Sequence, residues 1–513
     1  MRLPRVLIGL LAALIVPAIA TAAQPAATVR IQVDAKAPGT PFPHFWERMF
    51  GSGRAVLALR DDYRRDLEAV HAATGFGYVR FHGILDDDVG VFTRDAQGRP
   101  RYNFTYVDQI YDGLLARGVK PFVELGFMPE ALSSDPSKHH SFWYHPNVMP
   151  PRDYAEWDAL IRAFAEHLVA RYGIDEVATW YFEVWNEPNL DFWGGEPKQS
   201  TYFTLYDHTV RALKSVSPRL RVGGPATAQT AWLSEFLAHI HAAHVPVDFV
   251  STHVYGDDTA ENVFGTHQPV SREDMVCRAV AKAHREIAAS PYPDLPLIYS
   301  EYNASYMNLP AVEDSVFMGP WLANTIRECA GKVSMMSYWT FSDVFEEQGV
   351  PRTPFYGGFG LIAQYRIPKP AFNAFAMLHR LGDTRLNVAS DSALVTRRAD
   401  GSLVMALWNY APPAGGDPET CKPTLPAGAD RHFEIEVASL PADARATVWR
   451  LDAAHGNVLA AYRRMGCPAF PSREQIARLR AAGQAAPAQS VAVRDGRFSL
   501  DVPPQGLVVI ELP

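Results

Sequence analysis

Two acidic residues stand out because each closes an apolar run. Glu187 lies in WYFEVWNEPNL, residues 180–190, and Glu301 in PLIYSEYN. A carboxylate at such a position costs several kcal/mol unless it is paired or put to use. Two carboxyls brought face to face can titrate apart, one kept neutral and the other ionised. Glycosidic bond cleavage needs that division: one acid protonates the leaving oxygen, and the other attacks the anomeric carbon or activates water. The competing reading for each is a structural ion pair with an arginine. Glu183 shares strand parity with Glu187 but lies deeper, so it is expected to be an interior partner, with Arg80 as the candidate. Glu124, in FVELG, reads as an interior or wall position.

Glu187 and Glu301 can meet only if the chain folds both strand ends to one place. Between about residues 45 and 345, eight short β-rich runs alternate with helical stretches: FWERMFGSG, YVRFHGI, KPFVELGF, WYFEVWN, LRVGGPA, FVSTHVYG, PLIYSEYN and VSMMSYWTF. Segments such as DYAEWDALIRAFAEHLVARYG carry helical periodicity. Eight strands alternating with helices predict an α/β fold, a (β/α)8 barrel whose active residues sit at the C-terminal strand ends. Glu187 would end the fourth strand and Glu301 the seventh. From about residue 376 the pattern changes to period two, in ALVTRRADGSLVMALWNY, RHFEIEVASL, ATVWRLD and RFSLDVPPQGLVVIEL, which predicts an accessory all-β sandwich. The expected division is a barrel over 41–375 and a sandwich over 376–513. A strand within 24–40 is expected to join the sandwich. Residues 452–490 are expected to hold one helix. With no Pro/Ser-rich linker before it, the sandwich is expected to brace the barrel rather than bind carbohydrate.

The ordered motifs resemble glycoside hydrolase family 39 of clan A, which contains β-xylosidases and α-L-iduronidases. The match rests on EVWNEPN at strand four, with FGSGR, RFHG, STHVYG, SEYN and SYWTFSD at strands one, two, six, seven and eight. The resemblance implies Glu187 as general acid/base and Glu301 as nucleophile, with retention of configuration. It further implies that Asn186 binds the sugar 2-hydroxyl, that His253 and Tyr255 bind sugar or orient the nucleophile, and that Trp339 floors the sugar subsite. His82 and Arg54 match polar positions near that sugar's hydroxyls. The activity implied is an exo-acting β-D-xylosidase on short xylo-oligosaccharides. The alternatives are an α-L-arabinosidase, an α-L-iduronidase, an endo-acting exopolysaccharide hydrolase and a non-catalytic carbohydrate-binding protein. Iduronate would need a basic cluster near Trp339, and SYWTFSDVFEEQG has neither Lys nor Arg.

The remaining features bound the setting. The 513 residues carry a net charge of −8, which gives no reason to expect a nucleic-acid partner. Arg2 and Arg5 precede an apolar run ending in Ala20-Thr21-Ala22, so residues 1–23 read as a signal peptide. The mature chain is expected to be exported, to the periplasm or outside the cell, with no membrane association after signal removal. Of four cysteines, Cys421 and Cys467 are expected to pair, while Cys277 and Cys329 read as buried helical thiols. His139, His140 and His145 cluster in the long loop after strand three, without the accompanying ligands of a metal site. No metal and no cofactor are expected. Phe142, Trp143 and Tyr144 in that loop could roof the pocket or anchor the loop.

Overall fold

The computed structural model describes residues 27–413, 421, 426–438, 440–441 and 443–513. Residues 1–23, expected to be a signal peptide, lie outside the described residues. Eight parallel strands close into a barrel: β1 Met49–Gly51, β2 Tyr78–Phe81, β3 Lys120–Leu125, β4 Tyr181–Val184, β5 Arg221–Thr227, β6 Phe249–Tyr255, β7 Leu297–Asn303 and β8 Met335–Tyr338. These are the eight runs expected from the sequence. Each is followed by a helix: α1 Asp61–Thr74, α2 Thr105–Leu115, α3 Tyr154–Tyr172, α4 Lys198–Val216, α5 Leu233–Ala242, α6 Arg272–Ala288, α7 Met318–Cys329 and α8 Pro370–Leu378. Helices cover the outer face of every strand, which is why β6 and β7 are buried at all seven positions and read as continuous apolar runs. Helix starts follow local chemistry, as where Asp153 accepts from the Ala155 N–H to cap α3 and Ser271 accepts from Asp274 to cap α6.

Regular pairing is interrupted near the barrel mouth. The register slips between Thr252 and His253 on β6, and again between Tyr299 and Tyr302 in the pairing of β7 with β8. Such irregularities re-aim side chains at the strand ends. Here they set His253 beside Glu301 in the β6–β7 pairing.

The all-β unit has two sheets around one apolar core. A seven-stranded sheet includes Leu403–Asn409, Arg445–Leu451 and Gly506–Leu512; a three-stranded sheet joins Ala27–Asp34, Arg431–Ala438 and Arg497–Val502. The strand Ala27–Asp34 runs parallel to Arg431–Ala438, so the chain enters through the sandwich before forming the barrel.

Three expectations are corrected. Residues 452–490 hold two helices, α9 Val458–Arg464 and α10 Arg473–Ala482, which pack with Phe355 and Ile367 of the segment between β8 and α8. The barrel runs past residue 375, because its last helix, α8, continues to Leu378. Cys277 and Cys329 are not free thiols: they form a disulfide joining α6 to α7, alongside the expected Cys421–Cys467 bridge. The two helices are neighbours only in the closed barrel, which no local sequence signal reports. Among the described residues, no helix is long and apolar enough to cross a membrane.

Candidate active site

The C-terminal strand ends surround a cavity of about 400 Å³ lined by His82, Asn186, Glu187, Tyr255, Glu301 and Trp339, among others. Strand β4 ends at Val184, and the chain then turns sharply: Trp185 has φ 69° and Glu187 φ 43°. Left-handed backbone at two bulky residues costs energy and is found where the fold overrides it, often at functional sites. The Glu187 N–H donates to the Ala226 carbonyl (2.8 Å), which pins the turn to β5. Trp185 is fully buried and its indole N–H donates to the Phe192 carbonyl, so it anchors the loop and does not face the cavity.

Glu187 and Glu301 approach closely. One carboxylate oxygen from each, with His253 Nδ1, lies within 4.8 Å of the other two. Arg80, on β2, is the hub beneath them. Its guanidinium donates to Glu183 (Nε–Oε2 2.6 Å), Glu301 (Nη1–Oε1 2.6 Å) and Asn186 (Nη2–Oδ1 2.9 Å), and lies 2.9 Å from Glu124. Glu183 is thus the interior partner of Arg80 that its depth implies, and Glu124 is a wall position that also meets His82 Nδ1 at 2.6 Å. Tyr255 donates its hydroxyl to Glu301 Oε2 (2.7 Å).

These contacts separate the two acids. Burial pushes Glu187 well above the ordinary carboxyl range, and the charges of Glu301 and Asp258 push it further. Burial also raises Glu301, but the positive charge of Arg80 and the Tyr255 hydroxyl pull it back. Glu187 is therefore the group that holds the proton, and Glu301 the better candidate for the charge.

A hydrogen-bond chain supports the same assignment. His253 is fully buried and neutral, its pKa held far down by burial and by the positive charge of Arg80. Ser300 donates its hydroxyl hydrogen to Glu183 (2.6 Å), so toward His253 Nε2 (3.1 Å) it can only accept. The single imidazole proton then sits on Nε2, leaving Nδ1 as an acceptor 2.9 Å from Glu187 Oε1. Glu187 must be the donor in that contact.

The other expected site residues divide. Trp339 is nearly buried on the cavity floor and lies against Gly51, where an added Cβ would stand 2.2 Å from its ring. His82 lines the cavity beside Trp339 (ring centroids 4.8 Å) and is kept neutral by burial, its pKa lowered to about 3. His253 does not line the cavity and works from beneath. Arg54 is a correction: it is absent from the lining, ion-paired to Asp88 (2.8 Å) and Glu346 (3.2 Å) and stacked over Tyr144 (4.6 Å). Its long side chain is consumed by bracing the loops around the rim.

Sequence reasoning missed several lining groups. Glu347 is buried, stands 3.7 Å from His82 Nε2, and is pushed well above the usual carboxyl value by burial and by Glu301. Its only signal was EEQ, residues 346–348, just after the strand-eight motif. Leu190, Gln229 and Tyr306 also line the cavity, from loops after β4, β5 and β7. Of the loop aromatics, Phe142 lines the cavity, Trp143 is half exposed with its backbone N–H on the Glu347 carbonyl (2.8 Å), and Tyr144 lies under Arg54. His139 pairs with Glu130, and His140 stacks on Phe192 (4.1 Å), so the loop histidines are spent separately.

A (β/α)8 barrel with two converging glutamates at its C-terminal mouth defines a glycoside hydrolase. The chain belongs to glycosyl hydrolases family 39, whose family model matches residues 29–497. It is 39% identical to a β-xylosidase of Geobacillus stearothermophilus over 90% of each chain. It is 37% identical to a β-xylosidase of Caldicellulosiruptor saccharolyticus, over 85% of this chain and 87% of that one. The crystal structure of a monomeric β-xylosidase from Caulobacter crescentus CB15 superposes with a TM-score of 0.85 at 36% identity, covering 94% of this chain and 99% of that one. Human α-L-iduronidase is 29% identical over 56% of this chain and 44% of its own.

Proposed function

We propose that the protein is an exo-acting, retaining β-D-xylosidase that releases xylose from short xylo-oligosaccharides. The observation that carries the mechanism is the approach of Glu187 and Glu301, whose oxygens lie within 4.8 Å. Retaining enzymes hold their carboxyls about 5–5.5 Å apart, whereas inverting ones leave a wider gap for water. Glu301 attacks the anomeric carbon as Glu187 gives its proton to the leaving oxygen. Glu187, then ionised, takes a proton from the water that hydrolyses the glycosyl-enzyme. Asn186, held by Arg80, presents its amide to the 2-hydroxyl, where a hydrogen bond gains strength in the transition state.

The substrate reading is supported by the full-length β-xylosidase relatives. It is also supported by the lining, which contains no Lys or Arg to meet a uronate carboxylate and instead presents Glu347. Phe142 and the Trp143–Glu347 contact close the rim, which favours exo action over an open cleft. Two disulfides support an oxidising setting, and so export to the periplasm or beyond. Hydrolysis of a panel of 4-nitrophenyl glycosides tests the reading. The β-D-xyloside should be turned over with the highest kcat/KM and release β-xylose first; preference for α-L-iduronide or α-L-arabinoside, or α-xylose as first product, would overturn it.

A further inference from the structure

At the opposite end of the barrel, the residues just before β1 meet the end of α8. Glu47 carries a side chain only 4% exposed, and one of its oxygens, Oε1, faces two imidazoles: His44 Nδ1 at 2.5 Å and His379 Nδ1 at 2.9 Å. Its other oxygen, Oε2, is buried with no hydrogen-bond partner. A buried carboxylate oxygen without a partner calls for an explanation, and a bound ion or water is one. His44 is held in orientation by stacking on Trp46 (4.4 Å between ring centroids), and His379 by its place at the C-terminal cap of α8. All three donor atoms lie within 4.8 Å of one another. Around a tetrahedral zinc ion with bonds of about 2.0–2.2 Å, donors sit roughly 3.3 Å apart, so small rotations suffice. A cavity of about 700 Å³ opens beside both histidines and leaves room for a water as fourth ligand. The arginines on that cavity, Arg380 and Arg398, are both paired with Glu511, which limits their repulsion of a cation.

We propose that His44, Glu47 and His379 form a zinc site that staples the start of the barrel to its last helix. Two imidazoles and one carboxylate are the donor set of many zinc proteins. The other cluster of potential metal ligands among the described residues, Glu187, His253 and Glu301, has one imidazole and two carboxylates and is a poorer candidate, because the Arg80 guanidinium already sits 2.6 Å from Glu301. A zinc at the staple would hold together segments more than 330 residues apart, as the 332-residue separation of Glu47 and His379 requires, and would act on stability without touching the reaction.

The full chain, stripped with chelator and dialysed, is titrated with zinc chloride by calorimetry, with metal analysis after gel filtration. One zinc per chain and a rise in Tm of a few degrees are expected, with xylosidase turnover unchanged. Cobalt(II) in place of zinc should give the intense visible bands of a tetrahedral site. Single variants His379→Ala and His44→Ala should both lose the metal and the Tm shift. His379 is nearly half exposed, so its variant should fold. No zinc retained by the parent chain would overturn the proposal and leave a hydrogen-bonded triad. Zinc retained by both variants, or binding that inhibits turnover, would place the metal at the catalytic acids and equally overturn it.

Discussion

Removing either of the two acids proposed as catalytic, Glu187 or Glu301, should leave a different trace of activity. Glu301→Ala should all but abolish turnover, and azide should restore part of it by attacking from the vacated face, with inverted product. Glu187→Ala should lower kcat/KM on xylobiose by roughly 10²–10⁴-fold, the usual worth of a positioned proton donor. On a nitrophenyl xyloside its first step should be nearly spared, because that leaving group needs no proton. Glu183→Ala rescued by azide in place of Glu301→Ala would reverse the assignment. The proton on Glu187 invites a sharper test. Glycosylation needs that proton, and since the pKa of Glu187 is raised, activity persists as pH rises until Glu187 ionises. Ser300→Ala removes the acceptor that holds the His253 proton on Nε2. The proton can then move to Nδ1 and donate to Glu187, stabilising its charged form. The basic limb of the kcat/KM profile should therefore shift to lower pH; an unmoved limb with lowered kcat would mean that Ser300 is only structural. The two acids were legible because each ends an apolar run in a matched motif. Arg80 as the shared hub was not, since its partners come from β3, β4 and β7, and no linear spacing announces that convergence.

At the scale of elements, the strands and the Cys421–Cys467 bridge were legible, and the α6–α7 cross-link was not. Barrel strands buried on both sides must be apolar throughout, and that composition survives in a single sequence. Cys277 and Cys329 sit in helical patterns that look like ordinary core, and only the packing of α6 against α7 brings their Cα atoms to 5.0 Å. The two-helix insertion after residue 452 was underread for a similar reason: α9 and α10 are short, and their apolar face is completed by Phe355 and Ile367 from elsewhere. The α6–α7 bridge closes a loop of 52 residues, for which chain entropy alone gives about 4 kcal/mol of stabilisation. Replacing both cysteines with alanine should lower the denaturant midpoint accordingly while leaving KM for the xyloside unchanged. A loss of KM with no change in midpoint would show that the bridge shapes the site instead of the fold.

Over the whole molecule, one strand decides how barrel and sandwich relate. Leu403–Asn409 is buried at every position, and its side chains divide by parity. Leu403, Met405 and Leu407 enter the core between the two sheets; Val404, Ala406 and Trp408 join the core of the barrel. Leu451, Leu507 and Val509 of neighbouring strands face the barrel too, and Gly319 of α7 lets Leu451 and Leu507 close in: an added Cβ there would stand 3.1 Å from each. Five large apolar side chains at this junction, at about 2 kcal/mol each, amount to roughly 10 kcal/mol. Whole domains are stable by only about 5–15 kcal/mol, so the junction is worth about as much as the stability of a typical domain. The sandwich is a brace by this measure, and its strand Gly39–Pro41, paired with Thr384–Leu386, ties the chain entering the barrel to the chain leaving it. Thermal unfolding of the full chain should accordingly give one cooperative calorimetric transition. A chain ending at residue 383 should fail to fold in soluble form, and Trp408→Ala should lower the Tm of the whole transition and not of a separate one. Two resolved transitions, or a soluble and active truncated barrel, would mean that the units are independent and that the sandwich is free for another role.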